Sequence, residues 1–154
     1  MEYLVVKWIH IVSSTILFGT GIGSAYYMLF ASLGRNPVAV STVVRLVVIA
    51  DWTFTTSTII VQPVTGLYLA HLMGLPWTTR WIAWSIALYL LAGACWLPVV
   101  WIQIRMRRMA QASASEGRAL PAGYFRLLRI WVALGVPAFA ALMIVFWLMV
   151  AKPA

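Results

Sequence analysis

The stretch LVVKWIHIVSSTILFGTGIGSAYYMLFA, from Leu4 to Ala31, decides the fold. It is almost entirely apolar, and a helix needs about 20 such residues to cross a bilayer. Three more stretches meet the same criterion, at residues 46–73, 81–104 and 130–151. The sequence therefore predicts an all-α fold, in which residues 1–154 form a single domain: a polytopic bundle of four transmembrane helices.

The composition of the whole chain agrees with a membrane location. Of the 154 residues, 64% are hydrophobic and 9% are charged, whereas soluble domains average about 45–50% apolar and about 25% charged residues. So few charges cannot coat a soluble globule, which excludes a soluble enzyme and a disordered tail. A single cysteine, Cys95, excludes an internal disulfide scaffold. The lipid bilayer is therefore the first predicted partner.

Positive charge is concentrated on one side of the predicted bundle. The formal net charge of +8 would, taken alone, suit nucleic acid. In a four-span topology, however, the first and third connections lie on the same side. The basic residues of that side are Arg35, Arg45, Arg105, Arg107, Arg108, Arg118, Arg126 and Arg129, against Lys7, Arg80 and Lys152 on the other. The positive-inside rule then predicts that both termini are non-cytoplasmic. Because the arginines are explained by this orientation, no nucleic-acid partner is expected.

One helical face of the first span carries the first candidate site. Lys7, His10, Ser14 and Gly21 recur at helical spacing and share a stripe. A neutral imidazole is the commonest metal ligand in proteins, and a glycine leaves bare backbone against which a flat cofactor can lie. This face is therefore a candidate cofactor-binding site with His10 as the metal ligand. The alternative is that His10 is an interfacial residue near the end of a span.

His71 is the second candidate ligand. It lies near the end of the second span, on the same side of the membrane as His10, so the two imidazoles could hold one haem iron between them. Helical phase places His71 opposite the polar stripe of its own span, although a kink at Pro63 could redirect it. The alternative is a histidine at the boundary between lipid and water.

The second span carries a polar stripe that we expect to face the bundle interior. Its members are Asp51, Thr55, Thr58, Gln62 and Thr65. For Asp51 we favour a structural ion pair with Arg45 or another arginine of that side, with the end of a proton path as the alternative. Gln62-Pro63 followed by Thr65-Gly66 predicts a broken helix at mid-depth.

Two stretches resemble a known family. These are YLVVKWIH, from Tyr3 to His10, and RIWVALGVPAFAALMIVFWLMVAKPA, which begins at Arg129. They resemble the HemJ-type protoporphyrinogen IX oxidases and the wider superfamily that includes the CopD membrane domain, and most of all a group of small four-span bacterial membrane proteins within it. The segment QPVTG, from Gln62 to Gly66, also looks like that group.

The resemblance implies a b-type haem in the four-helix bundle. It implies a bacterial inner-membrane location, that His10 is a haem ligand, and that Lys7 matches the family's lysine. It also implies that protoporphyrinogen IX is oxidised to the porphyrin, with electrons passed to a respiratory acceptor such as a quinone. Two features depart from the HemJ pattern. The family's arginine near the end of the first span is absent, and Leu134 to Pro137 lacks the family's carboxylate.

The functional hypothesis is a haem b-binding membrane redox protein, either an oxidoreductase of the HemJ kind or an electron-transfer protein; no catalytic residue is assigned. One alternative is a CopD-like metal or solute transporter that uses the polar stripe as a path. The other is a non-catalytic accessory subunit. Gly19 and Gly23 form a GxxxG motif typical of close helix packing, which would suit a homo-oligomer or a partner membrane subunit.

Overall fold

A computed structural model describes residues 1–153, and it confirms the all-α, four-span architecture. The helices are α1 (Glu2–Leu33), α2 (Pro37–Ala50), α3 (Thr56–Leu72), α4 (Arg80–Ser115) and α5 (Ala122–Ala151). A π-helical turn, Asp51–Thr55, joins α2 to α3, so these two helices form one continuous span. The four spans are therefore α1, α2 with α3, α4, and α5.

Three of the spans extend well beyond the stretches that hydropathy predicts. The second begins at Pro37 rather than near residue 46, because Pro37 occupies the first helical position and the Asn36 side chain accepts hydrogen bonds from the backbone N–H groups of Val38 and Ala39. On the third connection, α4 continues to Ser115 and α5 begins at Ala122. The polar stretch therefore extends both helices past the apolar segment and then turns, as expected.

The expected break at Gln62-Pro63 is wrong, because α3 runs through Pro63 without interruption. Proline lacks an N–H, so the carbonyl of Ile59, four residues earlier, loses its helical donor. The Tyr89 hydroxyl of α4 replaces that donor at 2.6 Å. The irregularity lies instead at Asp51–Thr55, where the N–H of Thr56 bonds to the carbonyl of Asp51, five residues earlier.

One half of the bundle has a close-packed core. We call this half the arginine-rich end, since it holds the first and third connections. Its fully buried side chains include Met28, Val44, Met106 and Tyr124. The Tyr124 hydroxyl shares a 2.7 Å hydrogen bond with the Ser32 hydroxyl. The two connections also meet at this end, where the Arg35 guanidinium lies 5.2 Å from the ring centroid of Phe125.

The other half, which we call the terminal end, consists of two helix pairs. α3 packs against α1, and α4 packs against α5. At the extreme end, the Tyr68 hydroxyl donates to the Glu2 carboxylate, and the Lys152 ammonium lies 5.9 Å from the Trp81 ring centroid. Between the pairs, Phe18 of α1 stacks on Phe139 of α5 with ring centroids 5.1 Å apart. Toward the middle of the bundle, a cavity lies between the two pairs.

Candidate functional site

His10 lies at the centre of the contact between α1 and α3. Its side chain is 9% exposed, and its Nδ1 is 2.7 Å from the Thr65 hydroxyl oxygen. The Gln62 side-chain amide donates to the His10 carbonyl at 2.8 Å and also to the Ser13 hydroxyl. Gly66 completes the contact, because a Cβ at that position would lie 3.2 Å from His10 Cε1. The segment Gln62–Gly66 therefore forms the surface of α3 on which the His10 side chain packs, and we call this surface the seat of His10.

The imidazole of His10 is held by two neighbours on α3. Its Nδ1 lies within hydrogen-bond distance of the Thr65 hydroxyl, and the ring also hydrogen-bonds to the backbone of Gln62. The Thr65 hydroxyl oxygen lies 2.7 Å from the Val61 carbonyl oxygen. In the tautomer in which this hydroxyl donates to Val61, Nδ1 donates to Thr65 and Nε2 carries the lone pair. In that tautomer a histidine can bind a metal through Nε2 while a neighbour holds its other nitrogen.

The other residues of the predicted first-span face do not converge on the imidazole. Lys7 is exposed, with its ammonium 5.7 Å from the Tyr3 ring centroid. The Ser14 hydroxyl donates to the carbonyl of Ile11 in its own helix. Gly21 lies deeper in the membrane and lines the central cavity described below. Only His10 of this face takes part in the contact with α3.

The two histidines do not come together. His71 is exposed, and its ring stacks on Tyr68 with centroids 6.4 Å apart. It lines a second pocket, of about 560 Å³, with Pro76 and Trp77 at the terminal end of the bundle. His71 therefore lies away from the seat of His10, and the ligand role predicted for each histidine stays a prediction.

A cavity of about 590 Å³ separates the two helix pairs. It is lined mainly by apolar and aromatic side chains, and by glycines of three helices, Gly21, Gly93 and Gly135. Neither histidine is among its lining residues. Two further wall residues, Trp96 and Trp131, have buried indole nitrogens without a hydrogen-bond partner in the described chain. Unsatisfied buried donors are uncommon, and they suit a region that holds a ligand or water.

The inner end of this cavity is polar. Asp51, Thr55 and Gln103 line it, and each is less than one-tenth exposed. The Thr55 hydroxyl donates to Asp51 Oδ1 at 2.9 Å, and the Gln103 side chain also hydrogen-bonds to the carboxyl. The expected ion pair of Asp51 with Arg45 is wrong: within the described residues the partners of Asp51 are neutral, and the one ion pair joins Arg118 to Glu116.

The polar stripe of the second span was predicted correctly. Asp51, Thr55, Thr58 and Gln62 are all buried. The stripe hydrogen-bonds to Gln103 on α4 and to Ser13 on α1. Neither partner was predicted from the sequence. Gln103 could have been predicted as a partner of the stripe, because it is a polar residue at a similar depth in another span.

The GxxxG motif does not mediate helix packing within the chain. Extra Cβ atoms at Gly19 and Gly23 would meet no atom within 4 Å. The expected close approach of another helix at this motif is therefore not made by the chain itself.

The fold and these sites define a polytopic integral membrane protein with buried polar groups inside a four-span bundle. The chain belongs to the family described as "Predicted integral membrane protein (DUF2269)", whose model matches residues 4–153. That description names no ligand or activity. No curated protein and no solved structure matches the chain.

Proposed function

We propose that the protein binds a b-type haem through His10 Nε2 and acts as a membrane redox protein. The observation that supports this most is the position of the imidazole: it is buried inside a membrane span with Nδ1 held 2.7 Å from the Thr65 hydroxyl oxygen, and Nε2 carries the lone pair when Nδ1 donates to Thr65. A polar ring at this depth is expensive in hydrocarbon, so a functional role is the default hypothesis. The resemblance of Tyr3–His10 to the HemJ-type family supports the same assignment.

The ligand inventory favours haem over a bare metal ion. No group of three or more His, Cys, Asp or Glu side chains that could hold a metal lies within residues 1–153. Haem iron already has four porphyrin nitrogens and needs only one or two protein ligands. A single well-oriented histidine therefore fits haem, whereas a CopD-like copper site would need more ligands than the described chain brings together.

The surrounding residues would have separate roles. Thr65 would fix the ring orientation and keep the proton on Nδ1, while Gly66 leaves the room that the ring occupies. Lys7, one helical turn before His10, places a positive charge where a propionate carboxylate could pair with it. The bound haem would supply one-electron chemistry. His10 does not line the central cavity, so this proposal is independent of that space.

The experiment is an absorption spectrum of the full chain, purified in detergent after expression with added haem precursor. We expect a Soret band that shifts on reduction with dithionite. His10→Ala should remove the band, whereas His71→Ala, the same change at an exposed histidine of the same end, should retain it. Thr65→Val should lower haem affinity by about 10–100-fold, as expected when the partner of a ligating histidine is lost.

Two results would reject the haem proposal. They are a wild-type protein without a Soret band and a His10→Ala spectrum identical to that of the wild type. Loss of the band in both histidine variants would instead assign His71 as a second ligand of the same haem iron. Circular dichroism of each variant at 222 nm shows whether the bundle remains folded, so that a lost band is attributed to the ligand. Stoichiometric copper in the purified wild type without haem would favour the transport alternative instead.

A further inference from the structure

The central cavity opens sideways toward the lipid. α1 and α5 both contribute to its lining, and apart from the ring contacts of Phe18 with Phe139 and Phe146 they are not among the closely packed helix pairs. Side chains of these two helices at the cavity remain well exposed: Ile22 is 47%, Tyr26 58% and Val136 64% exposed. A volume of about 590 Å³ falls within the 300–1,000 Å³ that is typical of small-molecule sites. A membrane-dissolved molecule could therefore enter between α1 and α5.

The inner end of the cavity has unused hydrogen-bonding capacity. A carboxyl group has about four acceptor positions when ionised, and one donor with the remaining acceptor positions when protonated; Thr55 and Gln103 occupy two positions on Asp51. Asp51 is 7% exposed, has no basic partner within residues 1–153, and lies in the middle of a membrane span. Because hydrocarbon cannot supply a donor, an acyl chain would leave this capacity unused, whereas a hydroxyl group would satisfy it.

The walls of the cavity suit a ring. Gly21, Gly93 and Gly135 present bare backbone from three different helices, and a Cβ at any of the three would meet nothing within 4 Å. Aromatic rings of Tyr89 and Trp131 line the same space, and aromatic rings pack well in stacked or edge-on geometry. The open backbone of three helices thus leaves room for a ring beside these aromatic side chains.

We propose that this cavity binds a membrane-soluble phenol: an apolar ring with an alkyl tail, whose hydroxyl donates a hydrogen bond to Asp51. The tail would leave between α1 and α5 toward the lipid. The site is distinct from the haem proposal, because neither His10 nor His71 lines it. It uses the buried carboxyl that the haem proposal leaves without a role.

The test compares two probes that differ only in the donor. 4-Nonylphenol carries the hydroxyl, and 4-nonylanisole replaces its proton with a methyl group. The full chain in lipid nanodiscs is melted with each probe and followed by circular dichroism at 222 nm. A ligand that binds only the folded state raises the melting temperature. We expect 4-nonylphenol to raise it, with an apparent affinity about tenfold above that of 4-nonylanisole, because one hydrogen bond in a buried site is lost.

Two variants locate the effect. Gly135→Leu should abolish the stabilisation, because its side chain fills open cavity space without a clash. Its matched control is Gly19→Leu, which also meets no neighbour but lies outside the lining, and which should respond like the wild type. Asp51→Leu should remove the preference for the phenol while leaving the response to the anisole.

Each contrary outcome overturns the proposal. Equal stabilisation by the two probes in the wild type would show that Asp51 receives no donor. Stabilisation that survives Gly135→Leu would place the probe elsewhere. Absence of any shift in the wild type would mean that the cavity is filled by lipid acyl chains. The Gly135→Leu result remains decisive if Asp51→Leu does not fold, and none of these measurements depends on haem.

Discussion

Gly66 controls the position of the His10 imidazole. A Cβ at this residue would lie 3.2 Å from His10 Cε1, so a larger side chain must displace the ring. We predict that Gly66→Val lowers the free energy of unfolding by about 1–3 kcal/mol, the usual effect of overpacking. Gly19→Val is the control, since the same change there meets no neighbour. Thermal melts in one detergent compare the two, and equal melting temperatures would contradict the contact.

At the scale of single residues, the sequence predicts which side chains matter better than it predicts what they touch. His10 and Asp51 stand out because polar groups are rare inside spans. The partner of Asp51 is nevertheless Gln103 on another span rather than an arginine. A partner on a different helix depends on how the helices are rotated against each other, and hydropathy carries no information about that rotation.

Pro63 and Tyr89 form the clearest pair at the scale of helices. Pro63 leaves the Ile59 carbonyl without a helical donor, and the Tyr89 hydroxyl supplies one. We predict that Tyr89→Phe destabilises the protein by about 1–3 kcal/mol, the effect of an unsatisfied buried carbonyl. In a Pro63→Ala background the restored backbone N–H can reach Ile59, so the same change should have less than half of that effect. A double-mutant cycle from denaturant melts measures the coupling, and additive effects would contradict this account.

The irregular turn of the second span could not be located from the sequence. Proline at position 63 predicts a break there, yet the neighbouring tyrosine restores the missing bond and α3 stays intact. The π-helical turn occurs instead at Asp51–Thr55, in a stretch without proline or glycine. Such turns occur often at functional sites, and this one places Asp51 at the inner end of the cavity. It depends on the tertiary contacts of Asp51, which no local pattern encodes.

For the whole molecule, the sequence predicts the number of spans and the buried stripe, because both follow from hydropathy and helical period. It does not predict that a close-packed core and an open cavity lie next to each other in the bundle. That difference arises from packing: Met106 and Tyr124 fill the core at the arginine-rich end, whereas glycines of three helices leave the adjoining cavity without side chains to fill it. Trp131 belongs to both, because it packs in the core and lines the cavity.

The orientation of the bundle in the membrane is the prediction that belongs to the whole chain. The first and third connections share one end and carry most of the arginines, as the contact between Arg35 and Phe125 shows. The positive-inside rule therefore places that end in the cytoplasm.

Single cysteines at two exposed connection residues, Thr78→Cys and Ala119→Cys, test this orientation in a Cys95→Ala background. In intact spheroplasts, a membrane-impermeant maleimide should label the variant at position 78 but not the one at 119. Both should react after detergent is added, and the reverse pattern would show that the arginine-rich end faces outward.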